Sequence, residues 1–228
     1  MTDTLQAIAR SLSNDVQTLS TVSHNVANMH TPGYRAVRAI PEFQPDAASA
    51  ERRFATAIDQ RDGALAQTGG ELDIALRGEG FLVVERNGQM LLTRAGSLRI
   101  DNEGRLATVA GDLAMGYAGP LQMPAGKARF GRDGQVFVGD APVGQLQIVA
   151  VGDASRLRAV GNGAYAYDGP LAEWKGSVVQ GAVEHANVDA AEETVRLMEL
   201  TRHAESVQRA IGIYDKAMDT GINQIGGN

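Results

Sequence analysis

Few side chains in this sequence could move protons or hold metal near neutral pH. Histidines stand at His24, His30, His185 and His203, and there is no cysteine. No two of the histidines form the His-x-x-x-His or Glu-flanked pair that places imidazoles on one helical face for zinc. Without Cys, disulfides and thiolate metal sites are excluded. Two glycine-rich runs, Gly78-Glu79-Gly80-Phe81 and Gly161-Asn162-Gly163-Ala164-Tyr165, lack the rest of a dinucleotide or phosphate loop. No Gly-x-Ser-x-Gly nucleophile elbow occurs. Asp and Glu are scattered, so a carboxylate pair assembled by folding is the catalytic route left open. Trp174, Tyr165 and Tyr167 read as core or interface residues. The expectation is therefore no catalytic residue, no cofactor, no metal and no small-molecule substrate.

Composition narrows the remaining classes. The chain has 228 residues, 43% hydrophobic, which suffices for one large core or two small ones. Lys and Arg number 21 against 27 Asp and Glu, a formal charge of -6 with no basic block. Phosphate binding needs clustered positive charge, so nucleic acid is not an expected partner. No apolar run of about 18 residues is present, so no membrane insertion is expected. No basic-then-apolar leader is visible, so no cleavable secretory signal is expected.

The elements that would position any site are legible from their periods. Leu5, Ile8, Leu12, Val16, Leu19, Val22 and Val26 recur at steps of three or four, which predicts a helix over 3–28. Thr31-Pro32-Gly33-Tyr34 ends it: Pro32 disfavours helical geometry at Thr31, and Pro-Gly suits the centre of a type II turn. Asn28 is expected as a left-handed C-cap. Residues 37–70 read as an extended connector, with a helical turn in Glu51-Arg52-Arg53-Phe54-Ala55-Thr56-Ala57-Ile58-Asp59.

From 71 to about 182 the pattern is β. Asn87-Gly88 between two apolar runs predicts a type I′ hairpin that places Val84 opposite Leu91. Turns at Asp101–Gly104 and Asp133-Gly134 repeat the design, and 143–151 reads as one longer strand. Short strands at near-regular spacing predict an antiparallel sandwich or barrel. Helix then returns. Leu197, Leu200, Ala204, Val207, Ile211, Tyr214 and Met218 step by alternating three and four, the seam of a coiled coil. Asp189 with Glu192 predicts a capping box, Asn187 being the alternative cap.

The predicted fold is α+β. Helices at the two ends pair as a coiled-coil-like layer, and the central region is antiparallel and all β. Its divisions are 1–36, a connector at 37–70, a β domain at 71–182 and a C-terminal helix at 183–228. Seven buried positions on a helix contribute on the order of 10–20 kcal/mol. Ordering about 25 residues costs roughly 25–50 kcal/mol before hydrogen bonds offset part of it. Two such helices alone are marginal, so neighbours on several sides are expected. The other reading is a soluble β-rich binding module whose helices cap their own domain.

Four motifs, in order, carry a resemblance. Residues 25–35 contribute Asn25, Asn28, Thr31, Pro32, Gly33, Tyr34 and Arg35. Residues 71–84 contribute Leu72, Asp73, Gly78, Gly80 and Phe81. Residues 91–108 contribute Thr93, Arg94, Gly96, Asp101, Gly104 and Leu106. Residues 178–202 contribute Gln180, Gly181, Glu184, Asn187, Val188 and Arg202. Together they resemble the axial proteins of the bacterial flagellum, the basal-body rod and hook family. Leu82 stands where a second aromatic is common, and Ala186 where a Ser is usual. The short chain and the run Gly116–Gly126 resemble the proximal rod version, with a distal rod or hook-type subunit as the alternative.

That resemblance implies a structural subunit, not an enzyme. It implies export through the flagellar type III apparatus without loss of a signal peptide. It implies polymerisation in the periplasm, with copies of itself and other rod proteins, into a hollow drive shaft that transmits motor torque. The stripes Leu5 to Val26 and Leu197 to Met218 would then pack between subunits. Asn25, Asn28, Thr31, Pro32, Gly33 and Tyr34 would form the corner between helical and β layers.

Overall fold

The computed structural model describes residues 2–42 and 53–225. They form two units: one from the chain up to Val26 and from Asp189 onward, the other Ala27–Val188. The first residues of the corner therefore group with the strands.

The helical unit contains most of α1 (Thr2–Asn28) and α2 (Ala190–Ile225). At about 1.5 Å per residue they run roughly 40 and 54 Å. The expected cap of α2 is present: the Asp189 carboxylate accepts from the Ala191 N–H at 2.8 Å and the Glu192 N–H at 3.3 Å. Glu192 and Glu193 add favourable charge to the first turn. Polar bonds join the helices. Asn25 Nδ2 donates to Glu193 Oε1 at 3.0 Å, and His203 Nδ1 lies 2.8 Å from Asp15 Oδ2. The bonds are ten residues apart on each helix and in opposite order, so the two run antiparallel at these points.

Most of the apolar stripe of α1 lies off that bonded face, although Val22 is buried and Ile8 half-buried. Leu12, Val16, Leu19 and Val26 are 40–59% exposed, whereas Thr21, Val22 and Asn25 are buried. Asn14, Asp15 and Thr18 are half-buried. The shielded face of α1 is thus largely polar. On α2, Leu200, Ala204, Val207, Ile211 and Tyr214 are half-buried, and Leu197, Met198 and Ile213 are exposed. The side chains of Leu5 and Met218 lie outside the described residues.

In the strand unit every paired strand is antiparallel to its neighbour. The largest sheet has ten strands. Its spine is Phe81–Arg86, hydrogen-bonded to Gln89–Thr93 on one side and to Leu113–Gly116 and Ile148–Val151 on the other. Val84 faces Leu91 across the hairpin, and Asn87 and Gly88 have φ of 53° and 78°, as a type I′ turn requires. Successive residues of Phe81–Arg86 point to opposite faces. Phe81 and Val83 join one cluster with Leu92, Met115 and Tyr165. Leu82 joins the main core with Leu76, Leu106, Leu146 and Ile148. Both faces are covered, hence the unbroken apolar run Phe81-Leu82-Val83-Val84.

Three local expectations need correction. Asn28 is not left-handed; the positive φ of the corner belongs to Gly33, at 70°. The stretch expected to hold a helical turn is strand Arg53–Ile58, paired with Val37–Glu42 in a two-stranded ribbon. Its alternating Phe54, Thr56 and Ile58 follow the strand period. Residues 43–52 of the connector lie outside the described residues, and its last part contains strand Leu65–Gln67. The run 143–151 is two strands, Ala141–Gln145 and Ile148–Val151. Between them Leu146 N–H donates to Gly134 O and Gln147 N–H to Met115 O, so the chain changes partners at that point.

The return of the chain matters most for the site. Ser177–Gln180 pairs with Ile74–Arg77, and Ala182–Glu184 pairs with Leu65–Gln67. The last strands therefore close upon the first ones, across more than a hundred residues.

Candidate functional site

The corner is built as its residue types dictate. Thr31 N–H donates to Asn28 O at 2.9 Å, and Tyr34 N–H donates to Thr31 O at 3.1 Å. With Gly33 at φ 70° this is the type II turn expected of Pro-Gly. Gly33 is needed twice over. A Cβ there would sit 2.3 Å from the Arg94 carbonyl carbon and 2.4 Å from Ala95 N. Its N–H donates to Glu184 O at 2.8 Å, which brings the first segment of the strand unit against the last.

Around that contact four charged side chains are tied together. Arg94 is fully buried, and all five guanidinium N–H directions are used. Nε donates to Glu184 Oε2 at 2.8 Å. Nη1 donates to Gly78 O and Gly80 O, both at 2.7 Å. Nη2 donates to Asp62 Oδ1 at 2.8 Å and Leu76 O at 3.1 Å. Arg35, 2% exposed, pairs with Glu184 Oε1 at 3.0 Å and Asp62 Oδ1 at 3.3 Å and also bonds Arg61 O. Gly63 N–H donates to Glu184 Oε1 at 2.7 Å. Two guanidiniums face two carboxylates, so formal charge balances. Segments at 35, 62, 94 and 184 meet in one place.

Asn187 completes the knot. Its Oδ1 accepts from Ala36 N–H at 2.6 Å, and its Nδ2 donates to Asp59 O at 2.9 Å and Arg61 O at 2.8 Å. Asn187 N–H reaches Tyr34 O at 3.3 Å. Tyr165, buried, accepts from the Arg35 N–H at 2.8 Å.

Electrostatics follow from this packing. Burial lowers the Arg35 pKa, aided by repulsion from Arg94 and opposed by Glu184 and Asp62. Burial would raise Asp62, but the Gly78 N–H and the charges of Arg94 and Arg35 outweigh it, and its pKa falls below the usual range. The Arg61 side chain, with Arg38, holds Asp59 down to about 2. Burial pushes the Tyr165 phenol up, so it stays neutral. A depressed folded-state carboxyl stabilises the fold above its unfolded pKa, near 3.9, and that contribution is lost as pH falls toward 2. Acid titration followed by circular dichroism should show stability declining from about pH 4 to 2. Asp59→Asn should flatten that limb while leaving the slope above pH 5 unchanged.

The knot has no nucleophile beside a base. Among the described residues no group of three His, Asp or Glu side chains gathers as for a metal. What it can do is hold two distant chain segments together. The corner residues Thr31, Pro32, Gly33 and Tyr34 stand at its edge, as does Asn28. Asn25 lies in the helical unit, bonded to Glu193. Arg35, Arg94 and Glu184 are motif residues to which the sequence assigns no role, Asp62 belongs to no motif, and Asn187, the alternative cap of α2, bonds Ala36, Asp59 and Arg61 instead. The available signal was a charged residue within three positions of a glycine in each case: Gly33, Gly63, Gly96 and Gly181. Close backbone approach is what lets a guanidinium be surrounded by carbonyls.

Known proteins are similar to this chain in sequence. Residues 179–225 match the family model described as the flagellar basal body rod FlgEFG protein C-terminal region. Residues 75–138 match that of the flagellar hook protein FlgE/F/G D1 domain. The flagellar basal-body rod protein FlgF of Rhizobium meliloti is 26% identical over 222 residues, 92% of each chain.

The chain is similar to flagellar rod and hook proteins along most of its length.

FlgF of Escherichia coli is 29% identical, covering 84% of this chain and 85% of its own. The hook protein FlgE of Rhizobium meliloti is 39% identical over 110 residues, 43% of this chain and 26% of the hook protein. The rod and hook models together span Arg94, Glu184, Asn187 and all of α2.

Proposed function

We propose that this chain is a structural subunit of the flagellar basal-body rod, assembling through its terminal helices with copies of itself and other axial proteins. One observation carries the assembly reading: Leu12, Val16, Leu19 and Val26 form a helical stripe that the chain itself leaves 40–59% exposed. A domain-capping helix would turn that stripe inward, and here the shielded face is largely polar. Burying those four side chains against neighbours contributes about 1.5–3 kcal/mol each. The half-buried seam from Leu200 to Tyr214 supplies the second strip, in a coiled-coil-like pairing. The full-length likeness to FlgF relatives supports the proximal rod over a hook-type subunit. Export by the flagellar type III apparatus and a periplasmic position go with this reading. So does the corner Asn28–Tyr34 as the link between helical and β layers.

The test separates folding from assembly. Val16→Asp changes an exposed side chain, so the stability of the isolated protein should shift by no more than about 0.5 kcal/mol. Incorporation into rods and swimming should nevertheless be lost, because the substitution buries an unpaired charge in the assembled seam. Ile211→Asp, at a half-buried position on α2, should likewise abolish incorporation, with some loss of stability in the isolated protein. Swimming at the normal rate in both variants would overturn the proposal.

A further inference from the structure

The strand unit starts and ends at adjoining points, and the two end segments run in the same direction. Gly33 N–H bonds Glu184 O, and Asn187 N–H bonds Tyr34 O. Ala36 N–H bonds the Asn187 side chain, and the Arg35 side chain pairs with that of Glu184. So 33 lies beside 184, and 34–36 lie beside 187. α1 leads into this pair at its residue-33 end, and α2 leads out of it at its residue-187 end. Drawing the chain's ends apart then pulls the segments along their own length in opposite senses. All four cross-links share that load, whereas a hairpin peeled from its tip breaks one bond at a time. The other strand pairs are antiparallel and sit behind this one along the chain.

We propose that the segments 33–36 and 184–187, with the buried Arg35, Asp62, Arg94 and Glu184, form a force clamp. It bears tension entering through the terminal helices and keeps it from the sheets. The existence of the clamp rests on geometry alone. Its use in transmitting torque rests on the rod reading.

Single-molecule pulling tests it on the full chain. There is no native cysteine, so introduced cysteine handles are unique. With handles at the two termini, the helices should extend first at low force. The unit Ala27–Val188 should then open in one step releasing about 550 Å of contour. Asn187→Ala removes three side-chain bonds and should raise the unfolding rate under load about 30-fold or more. With handles at Asn102 and Asn162, next to Leu98–Ile100 at one edge of the ten-stranded sheet and the hairpin that ends in edge strand Arg158–Ala159 at the other, the load crosses the sheet and bypasses the clamp. Opening should then occur at lower force, in several steps, and be insensitive to Asn187→Ala. The inference is overturned if end-to-end force is no higher than cross-sheet force, or if Asn187→Ala weakens both directions equally. Failure of the rod reading would appear instead as normal swimming in Val16→Asp, which leaves the pulling result untouched.

Discussion

Glu184→Gln should destabilise the strand unit by about 3–5 kcal/mol, the cost of removing one partner from a buried ion pair. Glu184 is 1% exposed and faces Arg94 and Arg35, which are also buried. The amide keeps the shape and accepts at one oxygen only, leaving two guanidiniums with Asp62 as their single carboxylate. Asp62 is 40% exposed in its side chain and cannot replace a dry contact. Denaturant melts should show a lower midpoint at unchanged m-value, and the Tm should fall by about 10 °C. A double-mutant cycle adds a sharper reading. Arg94→Met with Glu184→Leu should cost less than the sum of the two single changes, since each single change strands a buried charge. Additive losses would show that the pair is not coupled.

Gly33→Val should be at least as damaging, for a different reason. A β-branched residue is strained at φ 70°, by about 1–3 kcal/mol. Its Cβ would also lie 2.3 Å from backbone at Arg94, so the corner or the segment behind it must move. Movement there breaks the Gly33–Glu184 hydrogen bond and opens the knot to water. The expected result is loss of cooperative unfolding of the strand unit, together with loss of swimming. Gly33→Ala should fall between wild type and Val, as Ala carries the same clash with a smaller φ penalty. A Gly33→Val protein with wild-type stability would mean that the close approach to Arg94 is not a constraint.

The two substitutions act on one object from opposite sides. Glu184→Gln leaves the backbone alone and removes charge, whereas Gly33→Val leaves the charges alone and moves backbone. If the knot is a single feature, each should lower the stability of the whole strand unit, and combining them should cost less than the sum of the two. The assembly variants at Val16 and Ile211 should leave the knot intact. That contrast separates what holds one subunit together from what joins it to others.

Where one period governed a segment, the sequence alone determined its structure. The helix over Thr2–Asn28, the Asp189 cap, the Asn87-Gly88 hairpin with Val84 against Leu91, and the Pro32-Gly33 turn all follow from residue types within a few positions. The resemblance to flagellar axial proteins rested on such local motifs too. Tertiary structure decided the rest. The strand Arg53–Ile58 exists because Val37–Glu42 lies beside it, and the run 143–151 breaks because its middle residues bond elsewhere. Which face of α1 is shielded was likewise undetermined, since an apolar stripe has the same period whether it meets its own chain or another. Most of all, nothing local marks Arg35, Asp62, Arg94 and Glu184 as partners. Separated by up to 149 positions, they are joined only by the closure of the last strands on the first. Burial then turns four ordinary surface-type residues into the knot that holds the unit shut.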